Sequence, residues 1–247
     1  MIKPSERCEK ALVLSSSPYS EDSALVTLAG KEGLFSLLVR GIYKPSSPFK
    51  PLLITGNVVS VDYRHRNTGL NTASSLQVDF DASIALASYP SSCFLQLLEE
   101  MSLALYRYGD SYPYEEAESL IAALIHGGDP LSLALLLSAS FYRSLGLKIE
   151  TKECVICQKS KNIVSYSLEE GGFLCADCAE KLSVPSRPKE ELYLLKFAFS
   201  SFTPEILAKK VPKASGKRVL LELIEHLLSY FDLGKLKSLP LFLEAVK

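Results

Sequence analysis

The sequence predicts an α+β protein in which a small five-stranded β-barrel precedes an all-α domain, and three observations support this. Short apolar runs with period-two alternation fill residues 11–80, and turn residues separate them. From residue 81 onward the apolar residues recur at helical spacing and β-branched residues become sparse. A polar stretch at 148–187 interrupts the helical part and contains four clustered cysteines. We therefore predict two domains, residues 1–80 and 81–247, with the insert inside the second.

Five strands are predicted in the first domain, at Lys10–Ser15, Ser23–Ala29, Gly33–Arg40, Leu53–Tyr63 and Asn71–Asp79. Lys31, Glu32 and Gly33 are typical of a tight hairpin connection between the second and third strands. Residues 42–51 contain three prolines, and because proline cannot donate to a β-ladder, this stretch is predicted to be a loop. Five strands with one long basic loop indicate an OB-fold barrel. An SH3-like barrel fits the number of strands nearly as well.

Helical spacing begins with an apolar stripe formed by Leu95, Leu98, Met101, Leu105 and Tyr108. A second helix is predicted at 115–126, and a third runs from Asp129–Pro130, an N-cap followed by a proline, to Gly146. Beyond the insert, further helices are predicted at 190–200, 204–210 and 216–231.

Two C-x-x-C pairs, Cys154 with Cys157 and Cys175 with Cys178, are separated by 17 residues within the insert. This spacing is typical of zinc ribbons, because each tight turn directs two sulfurs at one ion. We predict a single structural zinc ion. The alternatives are four clustered buried thiols, a redox pair and a catalytic zinc, but four sulfurs leave a catalytic zinc no open position for water.

The remaining candidate catalytic residues do not assemble into a recognisable site. Cys8 and Cys93 lie in apolar surroundings and are expected to pack in the core. The three histidines, at positions 65, 126 and 226, occupy different segments and are expected at the surface or at helix ends. No phosphate-binding loop, dinucleotide fingerprint or nucleophile elbow occurs in the sequence. The sequence therefore indicates that the protein is not an enzyme.

The formal net charge of −1 conceals an uneven distribution. Residues 1–80 carry +2, 81–150 carry −6, 151–187 are neutral and 188–247 carry +3. Between positions 40 and 66 the local excess is +4. We predict that this segment contacts nucleic-acid phosphates through Arg40, Lys44, Lys50, Arg64 and Arg66, with Tyr43, Phe49 or Tyr63 available to stack on bases. A solvated charged loop is the alternative.

A second basic set surrounds a helix–helix connection and comprises Lys209, Lys210, Lys213, Lys217 and Arg218. It is predicted either to extend a DNA track or to receive an acidic partner tail. In the second case Leu207 and Val211 would accept the hydrophobic end of that tail.

The chain is expected to stay in the cytosol. Its first residues, Met1 to Arg7, contain no apolar run behind a basic start, so no secretory signal is predicted. The longest apolar stretch, at 131–142, is well short of the roughly 20 residues that span a bilayer. No membrane partner is therefore expected.

Several stretches resemble the bacterial RecO family of recombination mediators. Ala11-Leu-Val-Leu, the run from Ser20 to Leu28 and the run from Lys31 to Gly41 resemble its opening strands. The cysteine insert resembles its zinc segment, while the run from Gly216 to His226 and Leu236-Lys-Ser-Leu resemble its closing helix and tail.

The resemblance implies a nucleoid-associated mediator of DNA repair and recombination that binds single- and double-stranded DNA and anneals complementary strands. It also implies partnership with RecR and with the acidic C-terminal tail of single-stranded DNA-binding protein, so that RecA is loaded onto coated strands. The competing interpretation, which the net charge favours, is a zinc-stabilised protein–protein adaptor that does not touch DNA.

Overall fold

A computed structural model describes the chain at residues 5–66, 69–109 and 111–247. The chain divides into two compact units, Met1–Arg107 with Ser111–His126 and Tyr108–Asp110 with Gly127–Lys247. The first unit combines the strands of the predicted barrel with two helices. The main division between the units follows His126. The predicted boundary at residue 80 marks instead the change from strands to helices.

Five strands of the first unit form a closed barrel: β1 (Ser5–Pro18), β2 (Ala24–Gly30), β3 (Gly33–Val39), β4 (Val58–His65) and β5 (Asn71–Phe80). Their order around the barrel is β1-β2-β3-β5-β4, and only the β3–β5 pair is parallel. The long β1 closes the barrel because its first half pairs with β4 and its second half with β2. This confirms the predicted five-stranded OB-fold.

The barrel interior is filled by alternate strand residues. Its buried side chains are Ala11, Val13, Ala24, Val26, Leu28, Leu37, Val39, Val59, Val61 and Tyr63, with Ile42 and Leu52 from the long loop. Lys31 and Glu32 form the two-residue connection between β2 and β3, which confirms the predicted hairpin. Burial of this apolar surface, at about 25 cal/mol per Å², is the main force that closes the barrel.

The fourth predicted strand begins too early. Residues Lys50–Leu53 form a 3-10 helix, and β4 starts only at Val58. Gly56 permits the turn between them, because glycine readily adopts its φ of +92°. A Cβ on this residue would also stand only 2.6 Å from Leu95 Cδ2. The backbone must therefore pass close to the first helix before the strand can begin.

Two helices complete the first unit, α1 (Tyr89–Leu105) and α2 (Tyr114–Ile125). The predicted stripe of α1 is buried as far as Leu105. Tyr108 was wrongly placed on it, because the α-helix has already ended there in a 3-10 turn and the ring is exposed. The periodicity continued by chance past the end of the helix.

The second unit has a helical body made of α3 (Pro130–Ser144), α5 (Lys189–Ala198), α6 (Pro204–Leu207), α7 (Lys213–Tyr230) and α8 (Ser238–Ala245). Asp129 caps α3 as predicted, since its carboxylate accepts the Ser132 N–H at 3.0 Å. Helix α3 is buried along nearly its whole length between α5 and α7. Helix α8 was not among the predicted helices.

The insert is more regular than the polar sequence indicated. It contains the hairpin of β6 (Ile163–Ser167) and β7 (Gly172–Cys175), followed by the short helix α4 (Ala176–Lys181). Three of the four clustered cysteines, Cys154, Cys175 and Cys178, share a small core with Leu174 and Ala179. In the part of the chain that is described, no helix is both long enough and apolar enough to span a bilayer.

Candidate metal centre and nucleic-acid interface

The four predicted cysteines converge at one point in the insert. Cys154 and Cys157 lie in the loop before β6, Cys175 ends β7, and Cys178 lies in the first turn of α4. All four Sγ atoms lie within 4.8 Å of one another, and those of Cys157 and Cys175 are 3.6 Å apart. A tetrahedral zinc with Zn–S bonds of about 2.3 Å separates its sulfurs by about 3.8 Å. The donor set therefore fits a closed tetrathiolate metal site.

Backbone amides stabilise negative charge at this cluster. Burial raises the pKa of Cys154, but hydrogen bonds from the backbone N–H groups of Cys157, Cys175 and Ile156 outweigh burial and lower the pKa to about 6. Burial and the neighbouring sulfurs raise the pKa of Cys178. The thiolate of Cys154 thus forms readily in the free site, whereas that of Cys178 needs a cation to stabilise it.

A network of charged residues joins the insert to the helical body. Tyr166 of β6 donates its hydroxyl hydrogen to Glu222 of α7 at 2.7 Å. Arg187, at the exit of the insert, donates to the other Glu222 oxygen at 2.6 Å and stacks over the Tyr166 ring at 4.5 Å. Glu191 of α5 is buried between Arg187 and Arg218, at 3.5 and 2.7 Å. The position of the metal site therefore depends on α5 and α7.

The predicted barrel contacts are cationic side chains at the surface. Arg40, Lys44, Lys50, Arg64 and Arg66 are all exposed, as is Tyr43. Lys44 lies 3.8 Å from Asp22, and the Lys50 ammonium donates to the Pro45 carbonyl at 2.7 Å. Within the described residues no ion pair involves Arg40, Arg64 or Arg66.

Two of the three predicted stacking rings are less available. Tyr63 is only 4% exposed and points into the barrel, where it stacks on Phe35 at 5.6 Å and donates to Glu9 at 3.2 Å. Its prediction as an exposed ring is wrong, because alternation along β4 directs Arg64 outward and Tyr63 inward. Phe49 is partly buried against the barrel core. Tyr19, in the β1–β2 loop, is a further exposed ring that was not among the predicted stacking residues, although Pro18 directly before it indicates the end of a strand.

The second basic set is largely engaged with neighbouring groups. Arg218 pairs with Glu191, Lys213 donates to the Lys247 carbonyl, and Lys209 lies 4.8 Å over the Tyr193 ring. Among the described residues Lys210 and Lys217 form no ion pair. Val211 is buried, so its prediction as an accessible apolar contact is wrong, whereas Leu207 is half-buried.

Two further predictions need correction. Cys8 is exposed on β1 rather than packed in the core, because side chains alternate along the strand and those at odd-numbered positions such as Ala11 and Val13 face inward. Cys93 is buried, as predicted. His226 is half-buried rather than fully exposed; it lies in the last turns of α7, where its Nδ1 is 2.8 Å from the Tyr142 hydroxyl. His126 is the C-cap of α2, as predicted.

Comparisons with known proteins agree on one family. A family model described as "Recombination protein O N terminal" matches residues 6–79, and one described as "Recombination protein O C terminal" matches residues 92–240. The chain is 24% identical over 232 residues to the DNA repair protein RecO of Bacillus mycoides strain KBAB4, covering 90% of both chains. It is 25% identical over 218 residues to that of Bacillus cereus strain AH187, covering 85% of both.

Proposed function

Because this chain belongs to the RecO family of DNA repair proteins, we propose that it is a recombination mediator that binds single- and double-stranded DNA and anneals complementary strands. The observation that carries this proposal is the closed barrel with exposed cations and aromatic rings at its loops. The protein would act by binding rather than by catalysis, on the nucleoid in the cytoplasm.

The barrel would bind DNA along the face that OB-folds use, which comprises strands two and three and the loops β1–β2 and β4–β5. Arg40 follows β3, and Arg66 lies in the β4–β5 loop. Tyr19 and Tyr43 are both exposed, and the ion pair of Asp22 with Lys44 brings their two loops together. These cations would bind phosphates while the rings stack on bases, at about 1–3 kcal/mol per stacked base.

Fluorescence anisotropy with a single-stranded oligonucleotide over a salt series tests this interface. Each phosphate contact contributes about 0.7 to the slope of log affinity against log salt. The double variant Arg40→Glu with Lys44→Glu should therefore lower the slope by about 1.4 and weaken binding. The matched control, Lys189→Glu with Lys235→Glu, changes net charge equally at exposed positions outside both basic sets. Equal effects of the two double variants would place the DNA site elsewhere.

Replacing Asp22 tests the same interface with a variant that is expected to strengthen DNA binding. Because its carboxylate competes with phosphate for Lys44, Asp22→Asn should strengthen DNA binding and steepen the salt dependence. An exposed ion pair is weak, so the gain should be about twofold to fivefold. An unchanged or weaker affinity would mean that Lys44 does not contact DNA.

A strand-annealing assay separates the mediator from the adaptor that avoids DNA. A mediator should accelerate the pairing of complementary oligonucleotides, and Arg40→Glu with Lys44→Glu should reduce that acceleration. No acceleration by the wild-type protein would support the adaptor.

The metal in the cysteine site is proposed to be one structural zinc ion, held by Cys154, Cys157, Cys175 and Cys178. Four thiolates leave no open coordination position, so zinc would supply cross-linking and no chemistry. Metal analysis of the purified protein should find one zinc per chain. A redox-active pair is the outcome expected instead if the thiols are metal-free and reversibly oxidised.

The partners are proposed to be RecR and single-stranded DNA-binding protein, with RecA loaded as a result. Lys209, Lys210 and Lys217 would receive the acidic C-terminal tail of the latter, with Leu207 as the apolar contact, since these ammonium groups have no carboxylate partner among the described residues. Titration with the isolated tail peptide should saturate, and Lys209→Glu with Lys210→Glu should abolish binding. Binding that this variant leaves intact would exclude the surface.

A further inference from the structure

A cleft in the second unit lies between the end of the insert hairpin and the last turns of α7. Its volume is about 550 Å³, and its mouth is open to solvent. Tyr166 and Glu169 line one side, and Glu225, His226 and Tyr230 line the other. Neither the metal site nor the basic sets include these side chains. The cleft is large enough for one long side chain or a small ligand.

One wall of the cleft is aromatic. The His226 ring stacks on Tyr142 with centroids 5.7 Å apart and an interplanar angle of 8°, and its centroid lies 6.1 Å from that of Tyr230. Tyr230 is 61% exposed, so its ring face is accessible from the cleft. Aromatic faces carry a negative quadrupole and attract flat cations.

The His226 imidazole forms a hydrogen bond with Tyr142. Its Nδ1 lies 2.8 Å from the Tyr142 hydroxyl, which also lies 3.2 Å from the Leu223 carbonyl. In the tautomer with hydrogen on Nδ1, the hydroxyl donates to the carbonyl, Nδ1 donates to the hydroxyl, and Nε2 keeps a free lone pair. In that tautomer the ring can accept a hydrogen bond from a donor group of a ligand.

Two carboxylates in the cleft have no ion-pair partner among the described residues, although Arg187 also lines the cleft and its charge helps to lower the pKa of Glu169. Glu222 uses both oxygens on Arg187 and Tyr166. Glu169 accepts hydrogen bonds from the Ser167 hydroxyl, at 3.0 Å, and from its own backbone N–H. Glu225 forms no ion pair within the described residues. Hydrogen bonds from its own backbone N–H and from Ser167 lower the pKa of Glu169, so it is ionised at neutral pH.

We propose that this cleft binds the guanidinium group of an arginine side chain presented by a partner protein. The planar guanidinium can stack on Tyr230 while its N–H groups donate to Glu169, Glu225 and the free His226 nitrogen. An ammonium group has no planar face, and an anion would be repelled by the two carboxylates. The open mouth admits a side chain whose peptide backbone stays outside. This proposal does not depend on DNA binding.

NMR titration of the full-length protein with N-acetylarginine amide tests the proposal, with the imidazole signals of His226 and the ring signals of Tyr230 as readouts. We expect saturable binding. N-acetylcitrulline amide, which has the same shape without charge, and N-acetyllysine amide should each bind about tenfold more weakly, the loss expected for one charge-assisted hydrogen bond. Equal affinity for citrulline would overturn the cationic assignment, and equal affinity for lysine would overturn the guanidinium assignment.

Matched variants locate the site. Glu169 and Glu225 are exposed, so Glu169→Gln with Glu225→Gln should leave the fold intact and weaken arginine amide binding at least about tenfold. The control, Glu180→Gln with Glu244→Gln, removes the same charge at exposed positions outside the cleft and should bind as the wild type does. Equal affinities of the two double variants, or no shift of the His226 and Tyr230 signals, would refute the proposal.

Discussion

Replacing Glu191 with alanine should weaken the contact between α5 and α7, the two helices to which the metal-bearing insert is attached. The Glu191 carboxylate is 4% exposed and lies between two arginines. It accepts from Arg218 Nε at 2.7 Å and from Arg187 Nη1 at 3.5 Å. Glu191→Ala removes the only buried charge of this network and leaves both guanidinium groups in place.

The cost follows from what the two arginines can do afterwards. Breaking a buried ion pair typically costs about 3–5 kcal/mol, because a buried charge is left uncompensated. Here Arg187 keeps its 2.6 Å bond to Glu222, and the Arg218 side chain is 53% exposed and can rehydrate. The loss is therefore limited to one strong charge-assisted hydrogen bond and some packing. We expect a decrease of about 2 kcal/mol in the free energy of unfolding.

Urea denaturation followed by far-ultraviolet circular dichroism measures this loss. Glu180→Ala, at an exposed position of α4, is the control and should stay within about 0.5 kcal/mol of the wild type. A double-mutant cycle of Glu191→Ala with Arg218→Ala should give a coupling energy of about 1 kcal/mol or more. A loss below about 0.5 kcal/mol for Glu191→Ala would refute the role of Glu191 in joining α5 to α7.

Three further outcomes are expected. Cys154→Ser should lose the metal and lower the melting temperature by about 10 °C, as should a chelator, whereas an unchanged temperature would deny a stabilising metal. Gly56→Ala, with its Cβ 2.6 Å from Leu95, should cost about 2–3 kcal/mol in denaturation, and Gly69→Ala, with φ +95° but open space, only about 1 kcal/mol. Burial lowers the pKa of His226 below 6.5, although the charge of Glu169 opposes this. As pH drops below 6.5, the unfolded chain therefore binds a proton that the folded protein does not, and the free energy of unfolding decreases. His226→Gln should lessen that fall, and an equal fall would contradict it.

Local signals in the sequence predicted much of the fold and the metal centre. The two C-x-x-C pairs act through turns of four residues, and Asp129 caps α3 through a bond to a residue three positions away. The Lys31–Glu32 hairpin is fixed by the two strands that it joins. Each of these features needs only neighbours in the chain, and so its residue pattern is readable without tertiary contacts.

Side-chain direction in the barrel was not readable in the same way. A one-residue shift of a strand reverses which side chains face inward, and β4 has register irregularities at Val58/Val59 and at Asp62/Tyr63. The prediction for Tyr63 is wrong for this reason, and the prediction for Cys8 is wrong because β1 begins earlier than Lys10, the first residue of the predicted strand. The hydrogen bond of His226 was not predictable either, since its partner Tyr142 is 84 residues away in sequence.

The structure also changes how the two basic sets compare, because a count of charges in the sequence does not separate free cations from paired ones. At the barrel, Arg40, Arg64 and Arg66 have no carboxylate partner among the described residues. In the helical set Arg218 is committed to Glu191 and Lys213 to a backbone carbonyl, and the three remaining lysines are the ones proposed to receive a protein tail. Release of counterions depends on the cations that are free to meet phosphates. The barrel should therefore account for most of the salt dependence of DNA binding, and charge reversal in the helical set should change it by less than about 1 in slope.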